Sequence, residues 1–164
     1  MTISSMAKRV VRELAARGIT VSTAESCTGG LIAKLITDVS GSSAVLAGGC
    51  VSYTNEIKIS VLGVDPAIIE RDTEVSHACA AAMAEGARAR FGTDLAVSTT
   101  GYAGPTGGTE RDPVGTVYIA VASPNGTRTE RFSAPLGATR SGVRNAAAYR
   151  ALELLCEEKV ENKL

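Results

Sequence analysis

Short strand-like segments alternate with helix-like segments along the chain, and this alternation is the feature that most restricts its fold. The strand-like segments are compact and largely apolar, and they cover residues 19–24, 44–53, 94–100 and 116–123. Helical spacing of apolar residues marks a segment that ends at Gly18, segments 29–38, 55–62, 76–91 and 137–160, and a turn that begins at Pro66. A turn signal at residues 124–126 predicts a hairpin over residues 116–132. The chain is therefore predicted to be an α/β protein with a mixed sheet and helices on both faces.

The composition is that of a globular protein, and we predict a single domain over residues 1–164. Hydrophobic residues make up 45% and charged residues 21% of the 164 residues, which are ordinary fractions for a folded domain. The 17 Lys and Arg residues balance the 17 Asp and Glu residues, so no excess charge draws the chain to nucleic acid or to an anionic membrane. Aromatic residues, at 4% with no tryptophan, argue against a base-stacking platform. Any charge on a ligand must therefore be met locally.

The cysteine and histidine content restricts both the compartment and the chemistry. The four cysteines lack zinc-binding or CxxC spacing and are Cys27, Cys50, Cys79 and Cys156. Residues 1–14 carry charged side chains instead of the apolar core of a secretory signal, so we expect free thiols in the reducing cytoplasm. No apolar run approaches the roughly 20 residues of a membrane span. Because His77 is the only histidine, a histidine-rich metal site is excluded, and we expect neither metal nor other cofactor.

The segment TAESCTGG, residues 23–30, leaves a predicted strand and opens a predicted helix. Its glycines permit close backbone approach, and the free N–H groups of a first helical turn attract phosphate or a developing oxyanion. Ser26 would lie beside those donors as a nucleophile. Glu25, Ser26 and Thr28 are also residue types that cap a helix, and Cys27 is either a second nucleophile or a buried, inert thiol. These residues by themselves leave the alternatives open.

Residues 101–115, GYAGPTGGTERDPVG, form a long connection with five glycines and two prolines. Loops of about this length are uncommon inside compact domains and are usually functional or disordered. This loop leaves the C-terminal end of a predicted central strand, where α/β sheets bind their ligands. We therefore interpret it as a ligand-binding loop, the alternative being a flexible surface flap.

A serine nucleophile needs a base, and the sequence offers two residue types for that role. His77 is the usual choice, but it lies at the start of a helix on a separate segment, where a polar first-turn residue is expected. Lysine is the other choice, as in Ser–Lys hydrolases. Tyr53 and Lys58 bracket a strand-to-helix turn, YTNEIK, and desolvation in a closed site would lower the pKa of the lysine. The alternative for Lys58 is an exposed position on a helix.

Two arginines lie in the first turns of the last predicted helix. Arg140 and Arg144 are i,i+4 neighbours there, and cations at that end oppose the helix dipole by a few tenths of a kcal/mol to about 1 kcal/mol. This position suggests an anionic partner, which would be either a ligand phosphate or a carboxylate on a neighbouring element. The alternative is that the arginines are simply solvated, and the residues alone do not choose among the three.

The motifs AESCTGG, YTNEIK and GYAGPTGG, in this order, resemble the C-terminal domain of the CinA family, the nicotinamide mononucleotide deamidases. The matching stretches are residues 23–64, 74–89 and 99–122, which together cover most of residues 21–122. The resemblance implies a three-layer α/β/α sandwich with a mixed sheet. It also implies an amidohydrolase that converts the carboxamide of nicotinamide mononucleotide to nicotinic acid mononucleotide and ammonia, in pyridine nucleotide salvage.

The resemblance further implies a set of site residues by motif position. Ser26 would be the catalytic serine, with Lys58 and Tyr53 as its catalytic partners. Neutral Lys58, helped by Tyr53, would take the Ser26 proton, and an acyl-enzyme would follow without a metal. Thr100 and Arg140 also match the family's site by position. To these we add the Gly-rich turns, which would hold the phosphate with Arg140, and N–H groups that would stabilise the oxyanion, either near Cys27 and Thr28 or along residues 101–104. The predicted substrate-binding set is therefore Cys27, Thr28, Gly29, Gly30, Thr100, Gly101, Gly104 and Arg140.

The chain also departs from the family pattern. Many relatives carry an N-terminal domain resembling molybdopterin-binding folds, whereas we expect this chain to begin directly at the amidase-like domain. Tyr102 stands where a smaller aliphatic residue is usual, and Asp112 stands where lysine is common. Both lie in the long loop, so we expect them to bear on ligand affinity or specificity more than on the reaction core.

The expected partner is a small-molecule pyridine mononucleotide, with no nucleic acid and no membrane. Ala-rich helices and exposed-strand candidates predict a homo-oligomer, dimeric or higher. A rival hypothesis is a non-catalytic nucleotide-binding module that uses the same loops for sensing or for interactions related to competence and DNA uptake. Both hypotheses predict nucleotide binding, so release of ammonia from nicotinamide mononucleotide is the property that separates them.

Overall fold

The chain forms one five-stranded sheet flanked by six α-helices in a computed structural model that describes residues 1–164. The strands are β1 (Val21–Glu25), β2 (Leu46–Val51), β3 (Leu95–Gly101), β4 (Thr116–Ser123) and β5 (Gly126–Ser133). The helices are α1 (Ile3–Arg17), α2 (Leu31–Thr37), α3 (Asn55–Leu62), α4 (Pro66–Asp72), α5 (His77–Phe91) and α6 (Arg140–Glu157). No helix is both long and apolar enough to cross a membrane.

The strands are arranged in the order β2-β1-β3-β4-β5, which confirms the predicted mixed sheet. β1 is parallel to β2 and to β3, whereas β4 is antiparallel to β3 and forms the predicted hairpin with β5. Because β1, β2 and β3 run in one direction, their C-terminal ends meet at one edge of the sheet. The segments that carry Ser26, Lys58 and the long loop all begin at this edge.

The predicted boundaries of several elements are wrong by a few residues, and three of these elements have larger or explained differences. The strand predicted over 44–53 covers only Leu46–Val51, because residues Ser42–Ala44 form a short 3-10 helix. The helix predicted from residue 29 begins at Leu31, because Gly29 and Gly30 adopt left-handed φ angles of 60° and 93°. The last helix covers Arg140–Glu157 and is shorter than the predicted 137–160.

The two faces of the sheet carry side chains of different size, as the period of two along a strand allows. Val21 and Val97 point to the layer formed by α1, α2 and α6, where a cluster of 25 buried residues makes the larger core. Ala24 and Ala96 point to the layer formed by α3, α4 and α5, where the core is smaller. The α/β/α architecture is therefore asymmetric, with α5 packed close to the sheet through alanines.

Close packing between α5 and α3 fixes the position of the helix that carries Lys58. A Cβ atom placed on Gly86 of α5 would lie 1.9 Å from the carbonyl oxygen of Leu62, the last residue of α3. Only a glycine fits at such a contact, because real Cβ atoms do not approach a backbone oxygen that closely. The absence of a side chain at Gly86 therefore allows α3 to lie directly against α5.

Candidate active site

The turn after β1 is held by an internal carboxylate. Glu25 is buried, and its carboxylate accepts hydrogen bonds from the backbone N–H groups of Ile32 (2.9 Å) and Ala33 (3.1 Å) and from the Thr28 hydroxyl (2.7 Å). These N–H groups belong to the first turn of α2, where a phosphate would otherwise bind. Glu25 therefore occupies two of the helix-terminal donors that were predicted to bind phosphate.

Ser26 follows this turn and lies beside the amine of Lys58. The Lys58 Nζ atom is 3.1 Å from Ser26 Oγ and donates a hydrogen bond of 2.9 Å to the carbonyl oxygen of Ser52. Lys58 is 1% exposed and Ser26 is 8% exposed, so Lys58 does not occupy the exposed position that was the alternative for it. Burial lowers the pKa of Lys58, and acidic neighbours oppose that shift without cancelling it. An amine of this kind can lose its proton and act as a base.

Tyr53 and Arg140 meet at the rim of the site. Arg140 donates one hydrogen bond to the Tyr53 hydroxyl (3.0 Å) and another to the Gly104 carbonyl oxygen (2.7 Å). Tyr53 is 58% exposed, and the atom of Tyr53 within reach of the Lys58 amine is its carbonyl oxygen, at 3.5 Å. The phenol of Tyr53 therefore orients Arg140, whereas the lysine contacts only the tyrosine backbone.

A pocket of about 390 Å³ opens above Ser26. Its wall consists of the turn after β1, the start of α3, the segment before α5, the long loop and the start of α6. The lining residues are Ser26, Cys27, Tyr53, Thr54, Asn55, Lys58, Glu74, Val75, Thr100, Gly101, Tyr102, Ala103, Gly104, Thr106 and Arg140. Every predicted catalytic residue and five of the eight predicted substrate-binding residues thus line one pocket.

Two glycines of the long loop are required by close contacts at the pocket wall. A Cβ atom on Gly101 would lie 2.4 Å from the carbonyl oxygen of Thr116, and one on Gly104, at φ 77°, would lie 2.4 Å from a methyl carbon of Val114. The Thr100 hydroxyl, next to them, donates a 2.7 Å hydrogen bond to the Glu74 carbonyl oxygen. The loop is therefore an ordered part of the wall and not a free flap.

Thr28, Gly29 and Gly30 do not line the pocket. Thr28 is fully buried, and its hydroxyl contacts Glu25 and, at 2.7 Å, the Thr99 hydroxyl. Gly29 leaves room for the guanidinium group of Arg144, which donates to the Thr28 carbonyl oxygen at 3.0 Å. Within the protein the partner of Arg144 is therefore a backbone carbonyl of this turn and not a carboxylate.

Cys27 is buried beside Ser26, and burial raises the pKa of its thiol to about 12. A thiol with this pKa is not a thiolate at neutral pH, so its sulfur is a poor nucleophile. The backbone N–H groups of Cys27 and Thr28 have no carbonyl partner in the protein. Cys27 lines the pocket whereas Thr28 does not, so the Cys27 N–H group is the donor suited to stabilise an oxyanion beside the serine.

His77 lies outside the pocket and contacts the Thr129 hydroxyl at 2.9 Å. The base nearest to Ser26 Oγ is therefore the lysine and not the histidine. No group of three or more His, Cys, Asp or Glu residues has an arrangement that could hold a metal ion. Asp112, expected to bear on the ligand, is buried beneath the loop and accepts hydrogen bonds from Tyr118 and Arg131.

Sequence reasoning missed Glu74, which is the acidic residue of the pocket wall. It begins the stretch 74–89 that resembles the family, but no role was predicted for it, and its contact with Thr100 at the pocket follows from no local pattern. Asn55 and Thr106 were missed for a similar reason. They lie inside the segments YTNEIK and GYAGPTGG, so their proximity to the site was predictable, but their inward position was not.

Similarity to known proteins extends over nearly the whole chain, because the family model of the CinA C-terminal domain matches residues 3–159. The chain belongs to the CinA C-terminal domain family. It is 51% identical over 146 residues to a CinA-like protein of Anaeromyxobacter dehalogenans, covering 89% of this chain and 35% of that protein. It is 46% identical over 157 residues to a CinA-like protein of Synechocystis sp., covering 94% of this chain and 36% of that protein. The chain thus spans about a third of the length of these curated relatives.

Solved structures of CinA proteins share this fold. The structure of the competence/damage inducible protein CihA from Agrobacterium tumefaciens matches with a TM-score of 0.91 at 40% identity, covering 94% of both chains. The competence damage-inducible protein A from Klebsiella pneumoniae matches with a TM-score of 0.91 at 34% identity, covering 96% of this chain and 97% of that chain. These matches confirm the predicted α/β fold of the CinA family.

Proposed function

We propose that this CinA-family chain hydrolyses the carboxamide of nicotinamide mononucleotide, giving nicotinic acid mononucleotide and ammonia for pyridine nucleotide salvage. The observation that carries the proposal is the buried Lys58 amine, with its lowered pKa, 3.1 Å from Ser26 Oγ. An uncharged amine at this distance can accept the hydroxyl proton and make the serine a nucleophile. The pocket volume of about 390 Å³ is in the range of small-molecule sites.

In the proposed mechanism, Ser26 Oγ attacks the carboxamide carbon while Lys58 Nζ accepts the proton. The N–H group of Cys27 stabilises the oxyanion, and loss of one such donor costs about 3–4 kcal/mol in other hydrolases. Collapse of the tetrahedral intermediate breaks the C–N bond, and Lys58 returns the proton to the leaving nitrogen, which departs as ammonia. A water molecule deprotonated by Lys58 then attacks the acyl-enzyme, releases the carboxylate product and restores Ser26.

Arg140 is proposed to bind the phosphate of the substrate at the rim of the pocket. A guanidinium group has five N–H donors. The contacts with Gly104 and Tyr53 use one N–H donor on each of the two terminal nitrogens of Arg140. The remaining donors are free for an anionic oxygen. Tyr53 and Gly104 therefore serve as the groups that orient the arginine toward the ligand.

Ammonia release from nicotinamide mononucleotide tests this function. We expect the unmodified chain to release ammonia above a buffer control, and Ser26→Ala to abolish release while keeping substrate binding. Ser60→Ala, an exposed serine on α3, is the matched control and should keep the unmodified rate. Binding without ammonia release by the unmodified chain would favour the non-catalytic nucleotide-binding module instead.

The substitution Cys27→Ala tests whether the nucleophile is the Ser26 hydroxyl or the Cys27 thiol. This substitution keeps the backbone N–H group and removes only the sulfur, whose raised pKa makes it a poor nucleophile. We expect Cys27→Ala to retain ammonia release, and mass spectrometry of a trapped acyl-enzyme should locate the adduct on Ser26. An adduct on Cys27 would overturn the assignment of the nucleophile.

A further inference from the structure

Glu74 is the acidic residue of a pocket wall that otherwise carries two basic side chains, Lys58 and Arg140. Glu74 is half-buried, and its carboxylate takes part in none of the salt bridges of the structure. A partly desolvated carboxylate without a cationic partner is unfavourable. The site therefore contains a negative charge that no side chain of the protein compensates by direct contact.

The backbone around Glu74 is fixed in an unusual conformation. Thr73, the residue before it, has φ 69° and ψ 169° and is the one non-glycine residue with a positive φ angle. A β-branched residue in this region is strained, and hydrogen bonds hold it in place. The Ser76 hydroxyl donates to the Thr73 carbonyl oxygen (2.9 Å), and the Thr100 hydroxyl donates to the Glu74 carbonyl oxygen (2.7 Å). Glu74 is therefore held at the pocket by the same strand end that carries Thr100.

The charge of Glu74 acts against the proposed reaction while the pocket is empty. The carboxylate raises the pKa of Lys58, opposing the dominant lowering by burial. It also adds to the effect of burial in raising the pKa of Tyr102 across the pocket. A positive charge on the bound ligand would offset this carboxylate and favour the neutral form of the lysine. The nicotinamide ring of the proposed substrate carries such a charge, because its nitrogen is bonded to the ribose and the ring is a pyridinium.

Resting on the proposed function, we propose that Glu74 is a specificity-determining residue that pairs with the cationic pyridinium ring of the substrate. Arg140 binds the phosphate, so each charged group of a zwitterionic ligand has an opposite charge in the wall of the pocket. Ligands with an uncharged ring gain nothing from Glu74. The acid product carries a new carboxylate next to the ring, which cancels the ring charge and removes most of the attraction.

Binding in the Ser26→Ala background tests the proposal without turnover. The probes are nicotinamide mononucleotide, its reduced dihydro form with an uncharged ring, and nicotinic acid mononucleotide, each titrated by calorimetry. We expect Glu74→Gln to weaken binding of nicotinamide mononucleotide about tenfold, the size expected for one partly screened ion pair. We expect binding of the other two ligands to change less than about twofold. A general defect in the pocket would weaken all three ligands, and that result would overturn the proposal.

Glu70→Gln is the matched control, because Glu70 is exposed on α4, outside the pocket, and the substitution removes the same charge. Equal weakening by Glu70→Gln and Glu74→Gln would also overturn the proposal, since it would indicate a long-range charge effect. Failure of the proposed function gives a different result. In that case the Ser26→Ala chain binds none of the three ligands, or the unmodified chain releases no ammonia.

A pH profile of the catalytically active chain gives a second readout. The profile of kcat/KM reports the free enzyme and that of kcat reports the complex. Because Glu74 raises the pKa of Lys58, Glu74→Gln should shift the rising limb of kcat/KM to lower pH. The limb of kcat should shift less, because the bound pyridinium already offsets the carboxylate. Equal shifts of both limbs would contradict pairing between Glu74 and the ring.

Discussion

At the scale of single residues, the proposed chemistry depends on the burial of one amine. Lys58 reaches from α3 to the end of β1, and its Nζ atom contacts only Ser26 Oγ and two backbone carbonyl oxygens. None of these partners is a carboxylate, so none directly compensates a positive charge on the lysine. Burial therefore favours the neutral amine, which is the form that the proposed reaction needs as a base.

The rate of ammonia release should depend on the protonation state of Lys58. Only the neutral amine accepts the Ser26 proton, so the rate should rise with pH and reach its plateau below the ordinary lysine pKa of 10.5. Activity should be lost as pH falls through the lowered pKa. Lys58→Met should reduce kcat by about 10² to 10⁴, as loss of a general base does.

The measurement is kcat as a function of pH for the unmodified chain, Lys58→Met and a control. Lys8→Met is suitable as the control because Lys8 is exposed on α1 and the same charge is removed. The control should keep the profile of the unmodified chain. If kcat of the unmodified chain had no rising limb at any pH below 10.5, that result would contradict the role of the lysine.

Residue identities were predictable where a motif carried them, and side-chain directions were not. Ser26 and Lys58 follow from AESCTGG and YTNEIK, and both line the pocket. Thr28 lies in the first of these motifs, yet its hydroxyl contacts Glu25. A helix cap and a ligand contact require the same residue types, so the sequence could not distinguish them. Glu74 depends on a contact with Thr100, 26 residues away, which no local pattern reports.

At the scale of elements, the position of α3 depends on the absence of a side chain on α5. The Cβ atom of alanine at position 86 would lie 1.9 Å from the Leu62 carbonyl oxygen, and that oxygen is backbone and cannot rotate away. Gly86→Ala should therefore displace α3 and lengthen the distance from Lys58 to Ser26. We expect kcat to fall at least about tenfold and the free energy of unfolding to fall by about 1–3 kcal/mol.

Enzyme assays and urea denaturation measure these two effects. Gly142→Ala in α6 is the control, since its added methyl group would meet only side-chain atoms, the nearest at 3.3 Å. Without a backbone clash, alanine is a better helix former than glycine by up to about 1 kcal/mol. Gly142→Ala should therefore not lose stability. Full activity of Gly86→Ala would show that α3 does not need this contact to position the lysine.

The long loop is attached to the hairpin by one buried carboxylate. Asp112 is 2% exposed and accepts hydrogen bonds from Tyr118 of β4 (2.9 Å), Arg131 of β5 (3.0 Å) and Arg111 (3.0 Å). Burial by itself raises the pKa of this carboxyl group, but the three hydrogen bonds outweigh burial and lower it. The ionised form of Asp112 thus stabilises the folded state.

Asp112→Asn should lower the free energy of unfolding at pH 7 by about 1–3 kcal/mol, because the charge-assisted hydrogen bonds to this buried carboxylate are weakened or lost. A group with a lowered pKa stabilises the fold above its ordinary pKa of 3.8 and loses this contribution as pH falls through the lowered value. The difference between Asp112→Asn and the unmodified chain should therefore shrink as pH falls below 3.8.

Urea denaturation from pH 7 to pH 3 measures that difference. Glu110→Gln, an exposed charge on the same loop, should leave the stability within about 0.5 kcal/mol of the unmodified chain, as is usual for surface substitutions. A stability difference for Asp112→Asn that does not change with pH would show that the carboxylate is not the stabilising group.

Element types were predictable from periodicity, whereas some boundaries and contacts were not. The helix predicted from residue 29 begins at Leu31 because two consecutive glycines adopt left-handed conformations. A glycine in a sequence indicates freedom to adopt that conformation and does not show that it is used. The order of β1 between β2 and β3 depends on contacts between distant segments, which is the reason that only the class of sheet was predicted.

At the scale of the whole molecule, the sheet lies between two hydrophobic cores and contributes side chains to both. Alternate residues of β1 and β3 point to opposite faces of the sheet. Val21 and Val97 belong to the core beside α1, α2 and α6, and Ala24 and Ala96 belong to the core beside α3, α4 and α5. If one helix layer separates from the sheet, apolar side chains of β1 and β3 become exposed, and the same strands also pack against the other helix layer. We therefore expect the two layers to unfold together in one cooperative transition.

Two cysteines report on the two layers separately, which makes this expectation testable. Cys27 belongs to the core between the sheet and α1, α2 and α6, whereas Cys79 of α5 belongs to the core on the opposite face. Burial raises the pKa of Cys27 to about 12 and that of Cys79 to about 11, so neither thiol reacts readily in the folded chain. Each becomes reactive when its own layer opens.

Alkylation with iodoacetamide in increasing urea, with the labelled peptides quantified by mass spectrometry, compares the two cysteines in one sample. Cooperative unfolding predicts the same urea midpoint for Cys27 and Cys79, equal to the midpoint of circular dichroism. Labelling of Cys79 at lower urea would instead show that the layer of α3, α4 and α5 opens first. Because that layer holds Lys58, ammonia release should then be lost at the lower midpoint. If unfolding is cooperative instead, the loss of ammonia release and the labelling of both thiols should follow one curve against urea concentration.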